Sequence, residues 1–259
     1  MMPVTIDGET VKLAVVTYKP AGPGPFPLLI FHHGSTGRGT DPSLFSRPND
    51  PRPIAEWFTP RGWAVVAPSR RGRGGSEGLY DEGFFVDREL GYTCEEERSL
   101  AGADRALRDI DAATDAILAL PFVDRARFMV GGISRGGALT IAWSGRHPDL
   151  PRAAINFVGG WLGTGCPTAT AVNRSLLNRG VGYRQPSIWL YGEGDPFYPL
   201  AHTRANFAAF EAAGGKGSFH EYTPPPGVSG HGIASVPALW SATMETYLAE
   251  RGLPATASP

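Results

Sequence analysis

Cysteine is scarce in this chain. Cys94 and Cys166 stand 72 positions apart with no C-x-x-C pair, which excludes a zinc ribbon or a redox dithiol on ligand count. Lysine is scarcer than its charge class suggests, with three among 24 basic residues, and 25 acidic residues bring the net charge to −1. No overall basic field exists to recruit nucleic acid or an anionic membrane. Long apolar runs are missing too. The most apolar window, residues 26–31, is interrupted by Pro27 and falls far short of the ~20 apolar residues that span a bilayer. Near the N-terminus, Asp7 and Glu9 stand where an export signal carries basic and then apolar residues. A cytoplasmic location is the expectation. Reduced thiols are the favoured expectation, because disulfides persist in oxidising compartments, while a Cys94–Cys166 disulfide stays open.

What is present is a globular composition, 42% hydrophobic and 19% charged, with 34 Gly and 24 Pro spread along the chain as turn punctuation. Without repeats or a low-complexity linker, one domain over residues 1–259 is expected. Residues 11–18 alternate like an antiparallel strand. Residues 28–31, 63–67, 128–131, 153–158 and 188–191 are compact apolar runs, the pattern of strands buried on both faces. Leu100, Ala103, Leu107, Ile110, Thr114 and Ile117 step by three and four residues, as do Val236, Leu239, Trp240, Thr243, Met244, Tyr247 and Leu248. Each set is one buried helix face. Buried strands alternating with amphipathic helices give an α/β fold, a mostly parallel sheet with helices on both faces. Ligands bind such sheets beyond the carboxyl ends of the strands. Residues 79–97 and 159–184 fit neither pattern. Both follow strands, so both should overhang that edge, as small cap elements or as irregular loops.

The chain contains G-x-S-x-G twice. Gly74-Gly75-Ser76-Glu77-Gly78 lies several residues beyond a strand and leads into no helical pattern, so Ser76 reads as a loop residue. Gly132-Ile133-Ser134-Arg135-Gly136 directly follows a strand and opens a helix, the strand-turn-helix context that lifts a serine nucleophile off a sheet. A neutral hydroxyl needs a base. Of six histidines, His32 and His33 end a strand, His147 ends a helix, His202 begins one and His220 lies within a strand pattern. His231, in Ser229-Gly230-His231-Gly232, is placed in a loop that can reach the carboxyl edge. The base needs an acid to fix its tautomer. Asp195, in the turn after the 188–191 strand, is the leading candidate, with Glu193 second. For the oxyanion hole, backbone N–H groups are required. The amides of Arg135 and of Ser35, in His33-Gly34-Ser35-Thr36-Gly37, are the candidates. His32 and His33 together do not form a metal site, because adjacent strand residues point to opposite faces. No metal or other cofactor is expected. The Arg135 side chain, a cation in the first turn of a helix, calls for an anion beside it. Glu77, Glu193 or a carboxylate on the substrate would serve.

In this set of motifs, together with Arg71-Gly72-Arg73-Gly74-Gly75-Ser76, the chain resembles the α/β-hydrolase superfamily, and within it the dienelactone hydrolase-like proteins. The resemblance covers nearly the whole chain. It implies an eight-stranded, mostly parallel sheet, the order Ser, Asp, His, and hydrolysis of esters or lactones without a cofactor. One departure matters: dienelactone hydrolases proper use a cysteine nucleophile where this chain has Ser134, so their substrate does not carry over.

The expected function is therefore serine hydrolysis of a small-molecule carboxylic ester or lactone through an acyl-enzyme. Alternatives on the same scaffold are a peptidase or amidase, resembling prolyl oligopeptidases that carry a further domain, and an acyltransferase. A non-catalytic binding module is disfavoured by the complete Ser-Asp-His set. Neither a nucleic acid nor a membrane partner is expected.

Overall fold

The computed structural model describes residues 1–257. Strands β1 (Met2–Ile6) and β2 (Glu9–Leu13) form an antiparallel ribbon; β3 (Val15–Tyr18) then joins the main sheet through antiparallel pairing with β5 (Ala64–Pro68). The alternating segment 11–18 is thus two strands. At Ala14 the chain leaves the ribbon: its N–H donates to Ser76 Oγ (2.8 Å) and its carbonyl accepts from Ser69 N–H (2.8 Å).

The main sheet runs β3-β5-β4-β6-β7-β8-β9, with β4 (Phe26–His32), β6 (Val123–Ile133), β7 (Ala153–Phe157), β8 (Ser187–Gly192) and β9 (Gly217–Tyr222). It has seven strands, not eight, because the β1-β2 ribbon packs beside α2 instead of extending the sheet. All pairings except that of β3 are parallel. Every residue of β5, β7 and β8 is buried, which is why these strands read as continuous apolar runs. The edge strand β9 is half-exposed.

Helices α1 (Arg52–Phe58), α2 (Glu96–Leu118), α3 (Arg135–Arg146), α4 (Ala169–Asn178), α5 (Leu200–Ala212) and α6 (Pro237–Ala249) cover the sheet. In α2, Ala103, Leu107, Ile110, Thr114 and Ile117 are buried, and in α6 Trp240, Met244, Tyr247 and Leu248. Both faces match the sequence periodicity. Glu96 and Glu97 in the first turn of α2 complement its macrodipole.

The two stretches outside the alternation differ from each other. Residues 79–95 form a loop with one bridge, Phe84 to Tyr92, held by edge and tilted packing among Phe45, Tyr80, Phe84 and Tyr92. Residues 159–184 contain α4, where the sequence reading left a cap element or an irregular loop. Its Thr and Asn content has weak helix propensity. Packing of buried Ala169, Val172, Leu176 and Leu177 against α3 and α5 supports it instead.

The expectation of reduced thiols is overturned: Cys94 and Cys166 form a disulfide that joins these two stretches. Thr168 Oγ1 reinforces the junction by donating to the Cys94 carbonyl. The expectation rested on compartment alone, and sequence separation gives no view of two segments meeting over the sheet edge. The bridge closes a loop of 72 residues. Cys166→Ser, or reduction of the native chain, should lower the unfolding free energy by about 2–4 kcal/mol, read as a drop in the denaturant midpoint.

Candidate active site

Ser134 occupies the turn between β6 and α3 with φ 57° and ψ −124°, a left-handed conformation that costs a non-glycine residue of order 1–3 kcal/mol and persists only where its surroundings enforce it. The enforcement is visible. Ser134 N–H donates to Phe157 O (2.9 Å), and its carbonyl accepts from Ala138 (3.1 Å) and Gly160 (3.2 Å). A Cβ on Gly132 would fall 2.3 Å from Gly136 O, and one on Gly136 would fall 2.2 Å from His32 O, so both flanking glycines are required by close packing of helix on strand. Ser76, in the other G-x-S-x-G, is a loop residue as expected: its Oγ accepts from Ala14 N–H and donates to Ser69 O.

Asp195 follows β8 and His231 lies in a short 3-10 turn, Gly230–Ser235, after β9. One Asp195 oxygen, Oδ1, accepts from the amides of Phe197 (2.8 Å) and Tyr198 (3.0 Å); the other, Oδ2, accepts from His231 Nδ1 (2.9 Å). The carboxylate is wholly buried, whereas the imidazole is about one-fifth exposed. Phe197 and Tyr198 pack against the imidazole at 4.8 and 5.7 Å. With Nδ1 on the carboxylate, Nε2 is the ring nitrogen turned away from it. Glu193, the second candidate acid, is exposed and accepts from Thr223 instead.

Ser134 and His231 open onto one cavity of about 580 Å³, lined also by Ser35, Arg135, Tyr198 and Trp161. No hydrogen bond joins Ser134 Oγ to His231 among the described residues. Such bonds tighten when substrate binds. The loop after β4 lies over the serine, since a Cβ on Gly34 would come within 3.5 Å of Ser134 Oγ. The Arg135 N–H belongs to the first turn of α3 and has no intrahelical acceptor.

Sequence reasoning missed what holds that loop. His33 Nδ1 donates to Gly34 O (2.8 Å) while its Nε2 accepts from Arg70 N–H (3.1 Å). Burial, with Arg70 and Arg73 nearby, keeps this imidazole well below its usual pKa and therefore neutral. His32, with neither ring nitrogen partnered among the described residues, is pushed by burial and Arg70 down to about 3.

The anion beside Arg135 is Glu82, not Glu77 or Glu193. Arg135 Nη1 lies 3.6 Å from Glu82 Oε2 and donates to Glu82 O (2.7 Å), and Arg70 Nε donates to Glu82 Oε1 (2.5 Å). Glu77 instead accepts from Lys12 N–H at the ribbon. Burial alone would raise the Glu82 carboxyl; Arg70, Arg135 and the Tyr80 hydroxyl outweigh it and hold it below the ordinary carboxylate range. A hydrogen-bonded chain runs on from Glu82 through Tyr80 and Tyr92 to Thr36 in the loop after β4. Asn173 of α4 receives the amides of Trp161 and Leu162 on its Oδ1, at 2.8 and 2.9 Å, fixing the opposite wall. No local pattern marks Glu82 or Tyr198, and for Asn173 the signal is indirect. In α4 the spacing of Ala169, Val172, Asn173, Leu176 and Leu177 was the available signal.

A model of the prolyl oligopeptidase family matches residues 52–164, a span that contains Ser134 and ends before Asp195 and His231. No curated protein sequence matches the chain. Among solved structures, the chain is similar to a Pyrococcus furiosus esterase, Pf2001, at 15% identity and TM-score 0.65, covering 96% of this chain and 88% of that one. It is similar to Est1E from Butyrivibrio proteoclasticus, solved with ferulic acid bound, at 18% identity and TM-score 0.59, covering 86% and 89%. A dienelactone hydrolase homologue from Klebsiella pneumoniae gives 18% identity and TM-score 0.54, covering 87% and 85%. These likenesses establish the α/β-hydrolase fold.

Because His32 and His33 are held neutral in the fold, the unfolded chain binds more protons once the pH drops below about 6.5. Stability present above that value is then lost as pH falls. The unfolding free energy should decrease at roughly 3 kcal/mol per pH unit below about pH 5.5 from these two groups, measured by denaturant titration from pH 7 to 5. A second prediction concerns Glu82→Gln, which leaves two buried guanidiniums facing an amide. It should cost about 3–5 kcal/mol of stability, measured in the same way.

Proposed function

We propose that this α/β-hydrolase is a serine esterase for small carboxylic esters or lactones, built as a single domain whose rim is formed by residues 79–97 and 159–184. The observation that carries the reading is that His231, bonded to Asp195 (2.9 Å), shares one cavity with a serine held at φ 57°. In this reading Ser134 Oγ attacks the ester carbonyl carbon as His231 Nε2 takes its proton. Asp195 holds Nδ1–H and stabilises the imidazolium. The carbonyl oxygen becomes an oxyanion facing the Ser35 and Arg135 amides. Collapse of the tetrahedral intermediate breaks the bond to the alcohol oxygen, which leaves with the proton from His231. Water, deprotonated by the same imidazole, then attacks the acyl-serine and releases the acid.

Peptide hydrolysis is the second reading, favoured by the prolyl oligopeptidase match over residues 52–164. Matched ester and anilide substrates separate the two. The ester reading expects the ester to be the faster, and a faster anilide would support the peptidase.

Ser134→Ala should reduce kcat by about 10⁴-fold or more with the thermal midpoint little changed. Ser76→Ala should leave kcat/KM within about 3-fold of wild type while removing one buried and one part-buried hydrogen bond, at a cost of about 1–3 kcal/mol in stability. Reversal of these two activities would transfer the nucleophile to Ser76. Substrate length gives a further expectation. The rim carries many charges in residues 79–97, and the cavity is compact. Each additional CH₂ gains ~0.8 kcal/mol only where continuous apolar surface receives it. Acetyl and butyryl esters should therefore exceed acyl chains of about 10 or more carbons in kcat/KM, and a steady rise through the series would contradict a compact pocket.

A further inference from the structure

Among the described residues, the arginines lining the cavity beside Ser134 are Arg38 and Arg135, and no aspartate or glutamate lines it. Arg38 is exposed at the mouth and makes no ion pair among the described residues. Arg135 is 3% exposed, and its nitrogens are used unequally. Nε donates to Trp161 O (3.1 Å) and Nη1 to Glu82 O (2.7 Å), while Nη2 has no acceptor among the described residues. The guanidinium lies against the rings of Tyr92 (3.8 Å) and Trp161 (4.3 Å). With its faces covered and Nε and Nη1 engaged, the edge at Nη2 is what it can offer a ligand.

The charge behind this wall does not balance. Arg70, Arg73 and Arg135 are all buried around the loop after β4. Glu82 is the carboxylate that pairs with Arg70 and Arg135. The nearby Arg71 is already matched by Asp109 and Asp7. Arg73 reaches Gly34 O at 3.5 Å, and its Nε, like Nη2 of Arg70, is buried without an acceptor among the described residues. Buried charges are normally paired, so a surplus of guanidinium beside the nucleophile is a costly arrangement that an incoming anion would relieve.

Resting on the esterase reading above, we propose that the substrate is an anionic ester: besides the scissile ester it carries a carboxylate that seats on Nη2 of Arg135, with Arg38 attracting it from solvent. The planar guanidinium edge suits a carboxylate, and the exposed Arg38 contributes a screened, salt-dependent attraction.

The test compares size-matched esters that differ in charge. On the acyl side these are mono-p-nitrophenyl glutarate and p-nitrophenyl valerate; on the alcohol side, 4-carboxyphenyl acetate and 4-methylphenyl acetate. The proposal expects at least one anionic ester to exceed its neutral partner by about 10-fold or more in kcat/KM. That advantage should shrink as salt rises from about 0.05 to 0.5 M. Arg38→Gln should lower the anionic-to-neutral ratio several-fold. Equal or faster turnover of both neutral esters overturns the proposal and leaves the esterase reading standing. If no ester is cleaved, the esterase reading fails, and calorimetric titration of Ser134→Ala protein with glutarate decides the seat by itself: competition between glutarate and chloride supports it, and absence of binding overturns it. Inorganic phosphate binding more tightly than glutarate in that titration would overturn the choice of a carboxylate.

Discussion

The buried pairing of Glu82 with Arg70 and Arg135 is the constraint on which the site depends. One carboxylate is shared by two guanidiniums that belong to different parts of the sheet edge: Arg70 follows β5, and Arg135 begins α3 beside Ser134. Through Arg70 the pairing reaches His33 and the loop after β4; through Tyr80 and Tyr92 it reaches Thr36 in the same loop. The loop that overlies Ser134 is therefore fixed from two directions by a network whose members are mostly removed from water. In a low-dielectric setting such a network rigidifies strongly when its members are satisfied, and loss of one member is correspondingly expensive.

The other half of the site uses a simpler device. Asp195 accepts the two amides that follow it in its own turn and the imidazole of His231, so its own turn fixes the carboxylate that holds the imidazole. Gly230 allows the close approach this requires, because a Cβ there would meet Gly192 O at 2.4 Å. Ser134 is positioned by backbone strain, His231 by a carboxylate, and the loop after β4 by an ion network. Each element emerges from a different strand end, and the parallel sheet brings those ends to one edge.

The walls of the cavity come from the two segments that interrupt the strand-helix alternation. Tyr92 lies on one and Trp161 on the other, and both rings lie against the Arg135 guanidinium. The Cys94–Cys166 bridge and Asn173 hold those segments in place. The cavity is thus braced covalently on the outside and electrostatically on the inside.

Features with a local physical cause were legible in the chain. Continuous apolar runs mark strands buried on both faces, as in β5, β7 and β8; three-and-four spacing marks α2 and α6; and a glycine-flanked serine between strand and helix marks the turn at Ser134. Asp195 and His231 were legible because each occupies a turn following a strand candidate. The tertiary structure alone decided which charges meet. Glu82 was one acid among many in an irregular stretch, and its selection as the partner of Arg135 follows from burial of both groups at one point in space. The seven-strand count turned on where the chain bends at Ala14, and the disulfide on two segments separated by 72 residues meeting over the sheet edge. Local periodicity records which face of an element is dry. It carries no information about which distant group will share that dry space, and that choice fixed the chemistry around Ser134.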